Sequence, residues 1–490
     1  MTLDNALLTP GQSIPLASIP ELPFLQFRDS ILAGVNRGGR IISWFVPHQH
    51  DDEYQLLAIL SDDARGTLQV FLTRVGQEYA SMTSQCLQLH LFERKIWEEG
   101  GPKPLGHPWL KGVRSHDSSG RPHPFFRMQG QEVHEVAVGP VHAGVIEPGH
   151  FRFQCTGEIV QNLEIQLGYQ HRGIEAALRH GPHKRTLALM ETAAGDTTIG
   201  HATAYCQVLE SRGEVRVPAR AQALRALALE LERLANHVGD IGALANDVGF
   251  LPTASYCGRL RGDLLNLTLA LTGNRLGHGF VRPGGVGFDI DRDLTEQFGQ
   301  ALERTKRDAQ AAMNLFFDSR SCLGRLSATG TLPRETCLEL GIVGVAARAS
   351  GVPVDVRCTH PTGWYESSQR SPVLATDGDV LARAQVRREE ILQSFGMVRS
   401  LLKSLPFGPA RAPSAALQPL SLAVGLVEGW RGQVTHVALT DAAGRLDHYQ
   451  IVDPSFHNWS GLAAAMRGQQ ISDFPLCNKS FNLSYCGFDL

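Results

Sequence analysis

The chain has 490 residues, a formal net charge of −3 and 43% hydrophobic residues, which is enough apolar material for two or three globular domains. This charge balance provides no basic field of the kind that nucleic acid or anionic lipid requires, so both classes of partner are unfavoured. No apolar run reaches the length of a membrane span, and the N-terminal segment lacks the layout of a signal peptide. We therefore expect a soluble or peripheral cytoplasmic protein.

The nine cysteines are scattered, and none belongs to a Cys-x-x-Cys pair. This usage argues against a disulfide framework, a structural zinc site and a self-contained iron–sulfur cluster. We expect that any redox centre served by this chain is bound by another protein.

The first part of the chain contains short alternating stretches, TLQVFLTRV and LQLHLFER, followed by the Gly/Pro-rich EEGGPKPLGHP. This pattern predicts a small α+β domain. The polar segment 114–134, which contains Gly and Pro, is the predicted linker. We place the boundary within it, between domains at 1–125 and 126–490.

After the linker, residues 150–170 alternate between apolar and polar in two runs, which predicts a β-hairpin. Helical apolar spacing follows in segments 185–195, 219–244, 261–273, 292–317 and 380–402. Residues 415–455 return to strand-like alternation. The fold class predicted is α+β, with a mainly helical core that is entered by a β-hairpin.

Charged residues are dense on either side of a segment of small residues at 193–198, which we predict to be helical. The charged residues are Glu147, His150, Arg152, His171, Arg172, Glu175, Glu191, Asp196 and His201. This density is typical of a backbone held close to a bulky or polar guest. A helix-packing face with solvated charges accounts for the same spacing, and the pattern alone leaves both interpretations open.

Several segments together resemble a known family. They are GPVHAGVIEPGHFRF, LGYQHRGIEAAL, GHATAYCQVLE, ELERLANHVGDIGALANDVGF, RPGGVG, RASGVPVDVR, EGWRGQVTH and DFPL. They resemble the large subunit of energy-converting, formate hydrogenlyase-type nickel–iron hydrogenases, which is itself similar to the quinone-site subunit of complex I. The stretch ERKIWEEGGPKPLGHPWLKGVR is similar to the end of the small complex I subunit that is fused ahead of this module in the hydrogenases.

The main departure from that family is the loss of metal ligands. In the active hydrogenases, two Cys-x-x-Cys pairs hold nickel and iron. By resemblance, these pairs fall here on Ala194 and Thr197 and on Ser484 and Gly487. Alanine and glycine carry no ligand, and alcohols are poor nickel ligands at neutral pH. We predict that this chain binds no metal there and is not a functional hydrogenase. The chain also ends at Leu490, without the tail that is trimmed from hydrogenase precursors after metal insertion. We expect this ending to reflect the same loss of the metal site.

Other family positions are retained. Glu147, His150 and Arg152 match the E-x-G-H-x-R stretch. Glu175 matches the RG-x-E glutamate, which the resemblance associates with proton movement, and His201 matches the histidine after the first cysteine pair. A partly buried carboxyl and imidazole can exchange protons near neutral pH, which makes them catalytic candidates. They would equally serve as salt-bridge and hydrogen-bond partners for folding.

Two further groups complete the candidate site. Asp196 places a charge beside the lost ligands, which implies either a wet or ligand-filled cavity or a helix register that turns this carboxylate to solvent. Arg348, Asp355, Arg357 and Tyr365 match a segment that lines the same region in the relatives. We treat the two arginines and Asp355 as candidate cofactor-binding residues, with structural packing as the alternative.

The quinone-contacting pair of complex I is not visibly retained. Its histidine position falls near Pro148, with His142 and His150 on either side, and its tyrosine position falls near Leu189. His142 and Arg152 remain candidates for contacts with a bound cofactor.

The resemblance implies a peripheral subunit of a membrane-bound complex, on the cytoplasmic face. Its partners would be a small subunit carrying a [4Fe-4S] cluster, antiporter-like and other membrane subunits, and a formate or carbon monoxide dehydrogenase module. We expect no resident cofactor in this chain, with a quinone as the candidate acceptor. The function expected is coupling of electron transfer to ion translocation. The alternative is a non-catalytic scaffold.

Overall fold

The computed structural model describes residues 6–114, 124–142, 146–211, 216–368, 370–414 and 416–490. Helices and strands both contribute, which confirms the α+β class. Much of the predicted linker, residues 115–123, lies outside the described residues. The division into domains at residue 125 therefore stays a prediction.

The N-terminal region combines a mixed sheet with two helices. The strands are β1 (Ala6–Leu8), β2 (Ser13–Pro15), β3 (Glu21–Leu22), β4 (Arg40–Phe45), β5 (Gln49–His50), β6 (Glu53–Asp62), β7 (Thr67–Val75), β8 (Glu78–Ala80) and β9 (Lys103–Leu105), and the helices are α1 (Phe24–Asn36) and α2 (His90–Glu98). The sheet has the order β1-β7-β6-β4, with β3 on β7 and β5 on β6. β7 is the predicted alternating segment TLQVFLTRV.

The second alternating segment, LQLHLFER, is not a strand. Residues Leu87–Leu89 form a 3₁₀ turn and the rest begins helix α2. Burial does not follow the alternation, because the apolar Leu87 is exposed while the polar Glu93 is fully buried and accepts hydrogen bonds from Ser81, Met82 and Thr83. The alternation of apolar and polar residues therefore does not indicate a strand with one buried face here.

The N-terminal region packs directly on the rest of the chain. β2 pairs antiparallel with β15 (Ser421–Glu428), through Ser13–Pro15 against residues 421–423. One apolar cluster unites Phe92 of α2 with Phe456 and Phe151. Residues from both predicted domains thus share a core.

The predicted hairpin is present, with a third strand beside it. β10 (Val133–Val138), β11 (His150–Thr156) and β12 (Ile159–Gln166) form an antiparallel sheet in that order. The inward side of β11 is apolar, with Phe151 and Phe153 fully buried. The loop between β10 and β11, whose residues 143–145 lie outside the described residues, carries Glu147.

The core that follows is mainly helical. Its elements are α3 (Ile174–Ala177), α4 (Thr186–Glu191), α5 (Thr198–Glu210), α6 (Ala219–Asp247), α7 (Leu251–Thr272), β13 (Val281–Arg282), β14 (Gly285–Val286), α8 (Arg292–Phe317), α9 (Arg320–Leu326), α10 (Arg334–Leu340), α11 (Gly344–Ala349), α12 (Val356–Thr359) and α13 (Val380–Lys403). The predictions at 219–244, 261–273, 292–317 and 380–402 are confirmed. The prediction at 185–195 is wrong beyond Glu191, where a turn separates α4 from α5.

The C-terminal part supplies a second sheet and closes the core. It comprises β15, β16 (Gln433–Thr440), β17 (Leu446–Val452), α14 (Pro454–Ala465), α15 (Phe474–Phe481) and α16 (Tyr485–Phe488). The sheet order is β17-β16-β15-β2, with β15 and β16 buried throughout. Within the described residues, no helix is both long and apolar enough to span a membrane.

Candidate functional site

The structure brings the two segments with lost ligand positions together. One is the turn between α4 and α5, in which Thr197 N donates to Ala194 O at 2.9 Å. The other is α16 at the C-terminus. Arg172 connects them, because its guanidinium donates to Ala193 O at 3.0 Å and reaches Cys486 O at 3.5 Å. The small residues at 193–197 are therefore a turn at the site and not the predicted helix.

The groups at these four positions do not fit a thiolate-bridged nickel–iron centre. Ala194 offers no donor atom, and the Ser484 hydroxyl accepts from Gly487 N at 2.9 Å and so caps α16. A Cβ at Gly487 would lie 2.7 Å from Asp453 Cγ, so the carboxylate of Asp453 fills the space that a side chain at 487 would need. Soft sulfur ligands are absent from all four positions, and nickel prefers such ligands when bridged to iron.

Asp196 is neither turned fully to solvent nor left unpaired. Its two oxygens accept from Arg431 Nη1 and Nη2 at 2.5 and 2.7 Å, in a bidentate pair. Burial opposes the charge on Arg431, but Asp196 outweighs it and raises the pKa of the guanidinium. Trp430 Nε1 and Asn236 Nδ2 donate to Asp196 O, which fixes the turn. A salt bridge therefore occupies the region between the two segments.

His201 begins a buried hydrogen-bonded file that the sequence did not indicate. Its Nε2 lies 3.1 Å from Asp453 Oδ2, and its Nδ1 lies 3.0 Å from His436 Nε2. His436 Nδ1 lies 2.8 Å from the Tyr449 hydroxyl. Burial raises the pKa of Asp453, but His201 and Arg431 outweigh it and hold this pKa below its usual value.

The sequence analysis missed Asp453, His436 and Tyr449 as site residues. The only available signal was the final histidine of EGWRGQVTH, a motif to which no chemistry was assigned. Among the residues that the structure describes, no group of three or more His, Cys, Asp and Glu side chains is arranged to hold a metal ion.

Of the residues predicted on the hairpin loop, Glu147 reaches the site and the others hold the hairpin. Glu147 Oε2 accepts from Tyr485 N at 3.2 Å. Burial, with Glu147 next in effect, raises the pKa of the adjacent Cys486 thiol to about 11. His142 Nε2 lies 2.8 Å from Gly149 O, which secures the base of the loop.

His150 and Arg152 lie on β11. His150 Nδ1 lies 3.2 Å from Gly139 O, while its buried Nε2 has no hydrogen-bond partner in the structure. Arg152 pairs with Glu135 at 3.0 Å across the sheet. Neither side chain contacts the lost ligand positions in these bonds.

Glu175 is held in an ion pair with the N-terminal region. Its Oε2 lies 2.8 Å from the nearly buried ammonium of Lys95 on α2, and its Oε1 accepts from Ile451 N at 2.8 Å. Lys95 belongs to the motif ERKIWEEGG. The predicted proton-exchanging carboxylate therefore has its charge balanced by that motif.

The predicted cofactor-binding residues Arg348, Asp355 and Arg357 lie away from the lost ligand positions, in a buried network. We call it the buried charge cluster. It consists of Glu230, Arg233, His237, Arg348, Asp355, Arg357, Glu390 and Glu428, which are all at most 5% exposed. Tyr365 donates to Glu230 at 2.7 Å from its rim. These residues contact one another, so packing is the interpretation that their geometry favours.

A cavity of about 780 Å³ lies between the hairpin loop and helices α6 and α7. His142, Ile146 and Tyr485 line it on one side, and Asp247 and Arg261 on the other. The cavity lies next to the loop that carries Glu147. Its size falls in the range typical of small-molecule sites.

Comparison with known proteins identifies relatives over most of the chain. Residues 247–421 match the family model of the respiratory-chain NADH dehydrogenase 49 kDa subunit. The chain is 33% identical over 350 residues to the carbon monoxide-induced hydrogenase of Rhodospirillum rubrum, covering 71% of this chain and 96% of that protein.

Two further relatives and one solved structure are also similar to this chain. Formate hydrogenlyase subunit 5 of Escherichia coli is 30% identical, and the alignment covers 71% of this chain but 62% of that protein. NADH-quinone oxidoreductase subunit 4 of Thermus thermophilus is 29% identical, with 70% and 90% covered. Among solved structures, a chain of the membrane-bound sulfane sulfur reductase, an archaeal respiratory membrane complex, superposes with a TM-score of 0.68 at 25% identity, covering 74% of this chain and 99% of that chain.

Proposed function

Because this chain belongs to the family that unites the 49 kDa subunit of respiratory NADH dehydrogenase with the large subunits of related hydrogenases, we propose that it is a peripheral subunit of a membrane-bound redox complex. In this proposal the subunit couples electron transfer to ion translocation and has no hydrogenase activity. Its named relatives are subunits of hydrogenase-related or respiratory complexes.

The observation that carries the proposal is the chemistry at the four lost ligand positions. Ala194, Thr197, Ser484 and Gly487 supply no thiolate, and Asp453 fills the space beside Gly487. In place of metal ligands the site holds the Asp196–Arg431 pair and the file that begins at His201. These groups offer carboxylate, guanidinium and imidazole hydrogen-bond partners, and the chemistry of a nickel–iron centre requires other donors.

Electrons would come from a [4Fe-4S] cluster in a small partner subunit, docked near the two segments. This chain would lie on the cytoplasmic face of the membrane, with antiporter-like and other membrane subunits beyond the small subunit and a formate or carbon monoxide dehydrogenase module upstream. A quinone is the candidate acceptor, and the cavity of about 780 Å³ beside His142 is where its ring would fit. This chain would contribute binding and proton exchange, with no resident cofactor.

The experiment is purification of the chain with its neighbouring subunits, followed by elemental analysis and activity assays. We expect negligible nickel per chain, iron accounted for by the partner's clusters, no hydrogen uptake with a viologen dye, and electron transfer to a quinone. Stoichiometric nickel with hydrogen uptake would overturn the assignment of the four positions. Absence of quinone reduction with every donor tested would remove the quinone from the proposal.

A non-catalytic scaffold is the second candidate, and a specific observation favours it. Glu175 and Asp196, the two predicted catalytic carboxylates with the clearest partners, are both in ion pairs, with Lys95 and Arg431. Ion pairs of this kind also serve folding alone. The test is Glu175→Gln and Asp196→Asn in the whole complex. Unchanged turnover and ion translocation in a fully assembled complex would favour the scaffold, and loss of translocation would favour coupling.

A further inference from the structure

The buried charge cluster contains unequal numbers of acidic and basic groups. Among the described residues joined by its ion pairs, the carboxylates are Glu230, Asp355, Glu390 and Glu428, and the guanidinium groups are Arg233, Arg348 and Arg357. With a neutral imidazole at His237, the cluster has one carboxylate more than it has guanidinium groups. An uncompensated buried carboxylate lowers the stability of the fold, and binding of a proton removes its charge.

Glu428 is the carboxylate with the weakest compensation. Glu230 lies within ion-pair distance of Arg233 and Arg357, Asp355 of Arg348 and Arg357, and Glu390 of Arg233 and Arg348. The guanidinium group within ion-pair distance of Glu428 is Arg348, at 2.7 Å, which is shared with Glu390, also at 2.7 Å. The other oxygen of Glu428 accepts from Val356 N at 3.0 Å, which is an uncharged donor. The geometry therefore singles out Glu428 as the carboxyl that carries the proton.

Neighbouring charges do not alter this assignment. His237 Nε2 lies 2.8 Å from Glu390 while its buried Nδ1 has no partner in the structure, which suits a neutral ring. Arg387, the other cation near His237, pairs with Asp240 at 2.7 Å. Arg370 stacks on the Tyr365 ring 4.6 Å away and donates to Ser368 and Met397, not to a cluster carboxylate. The Cys358 thiol on α12 is neutral, because burial raises its pKa to about 11.

Glu428 also borders a route to solvent. A cavity of about 240 Å³ is lined by Glu428 and Arg357 of the cluster and by Tyr365 at its rim. Glu210, Arg225 and His360 line it as well. The remaining cluster carboxylates, Glu230, Asp355 and Glu390, are not among the residues that line it. Water in this cavity would accept the proton of Glu428 and return it.

The turn that follows Glu428 connects the cluster to the candidate site. Arg233 donates to Glu428 O and Gly429 O at 2.8 and 3.0 Å, and the turn is closed by two hydrogen bonds between Gly429 and Gly432. At its tip, Trp430 Nε1 donates to Asp196 O and Arg431 pairs with the Asp196 carboxylate. The motif EGWRG thus has its first residue in the cluster and its arginine in the site.

We propose that Glu428 is a proton-binding residue, protonated at neutral pH, which exchanges its proton through the 240 Å³ cavity and whose charge state acts on the Asp196–Arg431 pair through the EGWRG turn. The proposal deepens the proposed function and rests on it for the role of that proton in coupling. The step is an acid–base exchange: one O–H bond of Glu428 breaks and one O–H bond of a cavity water forms.

The titration behaviour of the cluster agrees with this geometry. Burial raises the pKa of Glu428 and outweighs the opposing effect of Arg348. For Glu230 and Asp355 the arginines outweigh burial and lower each pKa to about 2. Arg348 and His237 hold the pKa of Glu390 well below its usual value in spite of burial. A carboxyl with a raised pKa stabilises the fold at low pH, and this contribution is lost as pH rises through the folded-state value.

The test is infrared spectroscopy of the full-length chain, comparing the wild type with Glu428→Gln. We expect the variant to lose a carbonyl band of a protonated carboxyl group at neutral pH, and the wild type to lose the same band as pH rises. Glu210→Gln is the matched control. Glu210 lines the same cavity but is paired with Arg225 at 2.6 Å, so its substitution should remove carboxylate bands only.

Loss of carboxylate bands alone in Glu428→Gln would overturn the proposal. If that variant does not fold, Glu428→Asp serves instead, and the protonated band should then shift in frequency without disappearing. A second readout is the unfolding equilibrium: between the ordinary pKa of a glutamate and the pH of release, the wild-type unfolding constant should rise about tenfold per pH unit relative to Glu428→Gln, and the ratio should become constant above that pH. These measurements use no electron donor or acceptor, so they succeed or fail independently of the redox assays that test the proposed function.

Discussion

A methyl group added at Gly487 tests whether Asp453 fills the space of the lost fourth ligand. Gly487 lies in helix α16 with no left-handed φ, so alanine suits its backbone. In a helix this change normally stabilises by about 0.5–1 kcal/mol. Here the new Cβ would lie 2.7 Å from Asp453 Cγ and 2.9 Å from Oδ2. Both atoms are fully buried, and forced overpacking of this kind costs about 1–3 kcal/mol.

We therefore expect Gly487→Ala to lower the free energy of unfolding of the full chain by about 1–3 kcal/mol, measured by urea denaturation. Gly396→Ala is the matched control, since Gly396 lies in α13 and a Cβ there meets nothing within 4 Å. The control should stabilise by about 0.5–1 kcal/mol. In Asp453→Ala the conflicting atoms are gone, so adding Gly487→Ala to that variant should cost little. Equal stability of the Gly487 and Gly396 variants would refute the reasoning.

Three further predictions concern buried charges. Burial raises the pKa of Glu232 to about 8, so the wild type should lose stability as pH rises toward and through 8. Glu232→Gln keeps an oxygen for Ile199 N and should gain stability relative to the wild type over that window in denaturation curves; parallel curves would contradict this. Lys95→Met removes the ion-pair partner of the mostly buried Glu175, which should cost about 3–5 kcal/mol in chemical denaturation, and adding Glu175→Gln should recover part of the loss. Arg348→Met should cost a similar amount, about 3–5 kcal/mol, and equal stability to the wild type would show that the cluster is hydrated.

The elements that the sequence predicted best are those whose apolar spacing is long and regular. The helices at 219–247 and 292–317 run for many turns, and the pairing of 150–156 with 159–166 follows a clear alternation. Shorter patterns misled. LQLHLFER alternates, but most of it lies at the start of helix α2. Its residue Glu93 is buried because it accepts local hydrogen bonds, and the burial of a charged residue cannot be read from the apolar pattern.

The candidate site was predicted in part, and the missing part has a physical reason. Glu147, Asp196 and His201 are local to quoted motifs, and the structure places all three near the lost ligand positions. Asp453 lies 252 residues from His201 in sequence. Tyr449 reaches His201 only through His436 on β16, the strand that pairs with β17. Hydrogen bonds between residues on different strands produce no regular spacing within a single segment of the sequence, so sequence patterns do not predict them.

The charged side chains around the four lost ligand positions are paired with one another. A thiolate-bound centre brings anionic ligands and cations together in one buried volume. In this chain Arg431 is paired with Asp196, and Asp453 faces His201 with both side chains fully buried. The Asp196–Arg431 pair and the contact between Asp453 and His201 therefore fill the space around these positions with side chains. Restoring cysteines at 194, 197, 484 and 487 would therefore not suffice to rebuild the centre. Asp453 would first have to leave the space beside residue 487, and nickel uptake should appear, if at all, only in a variant that also carries Asp453→Ala.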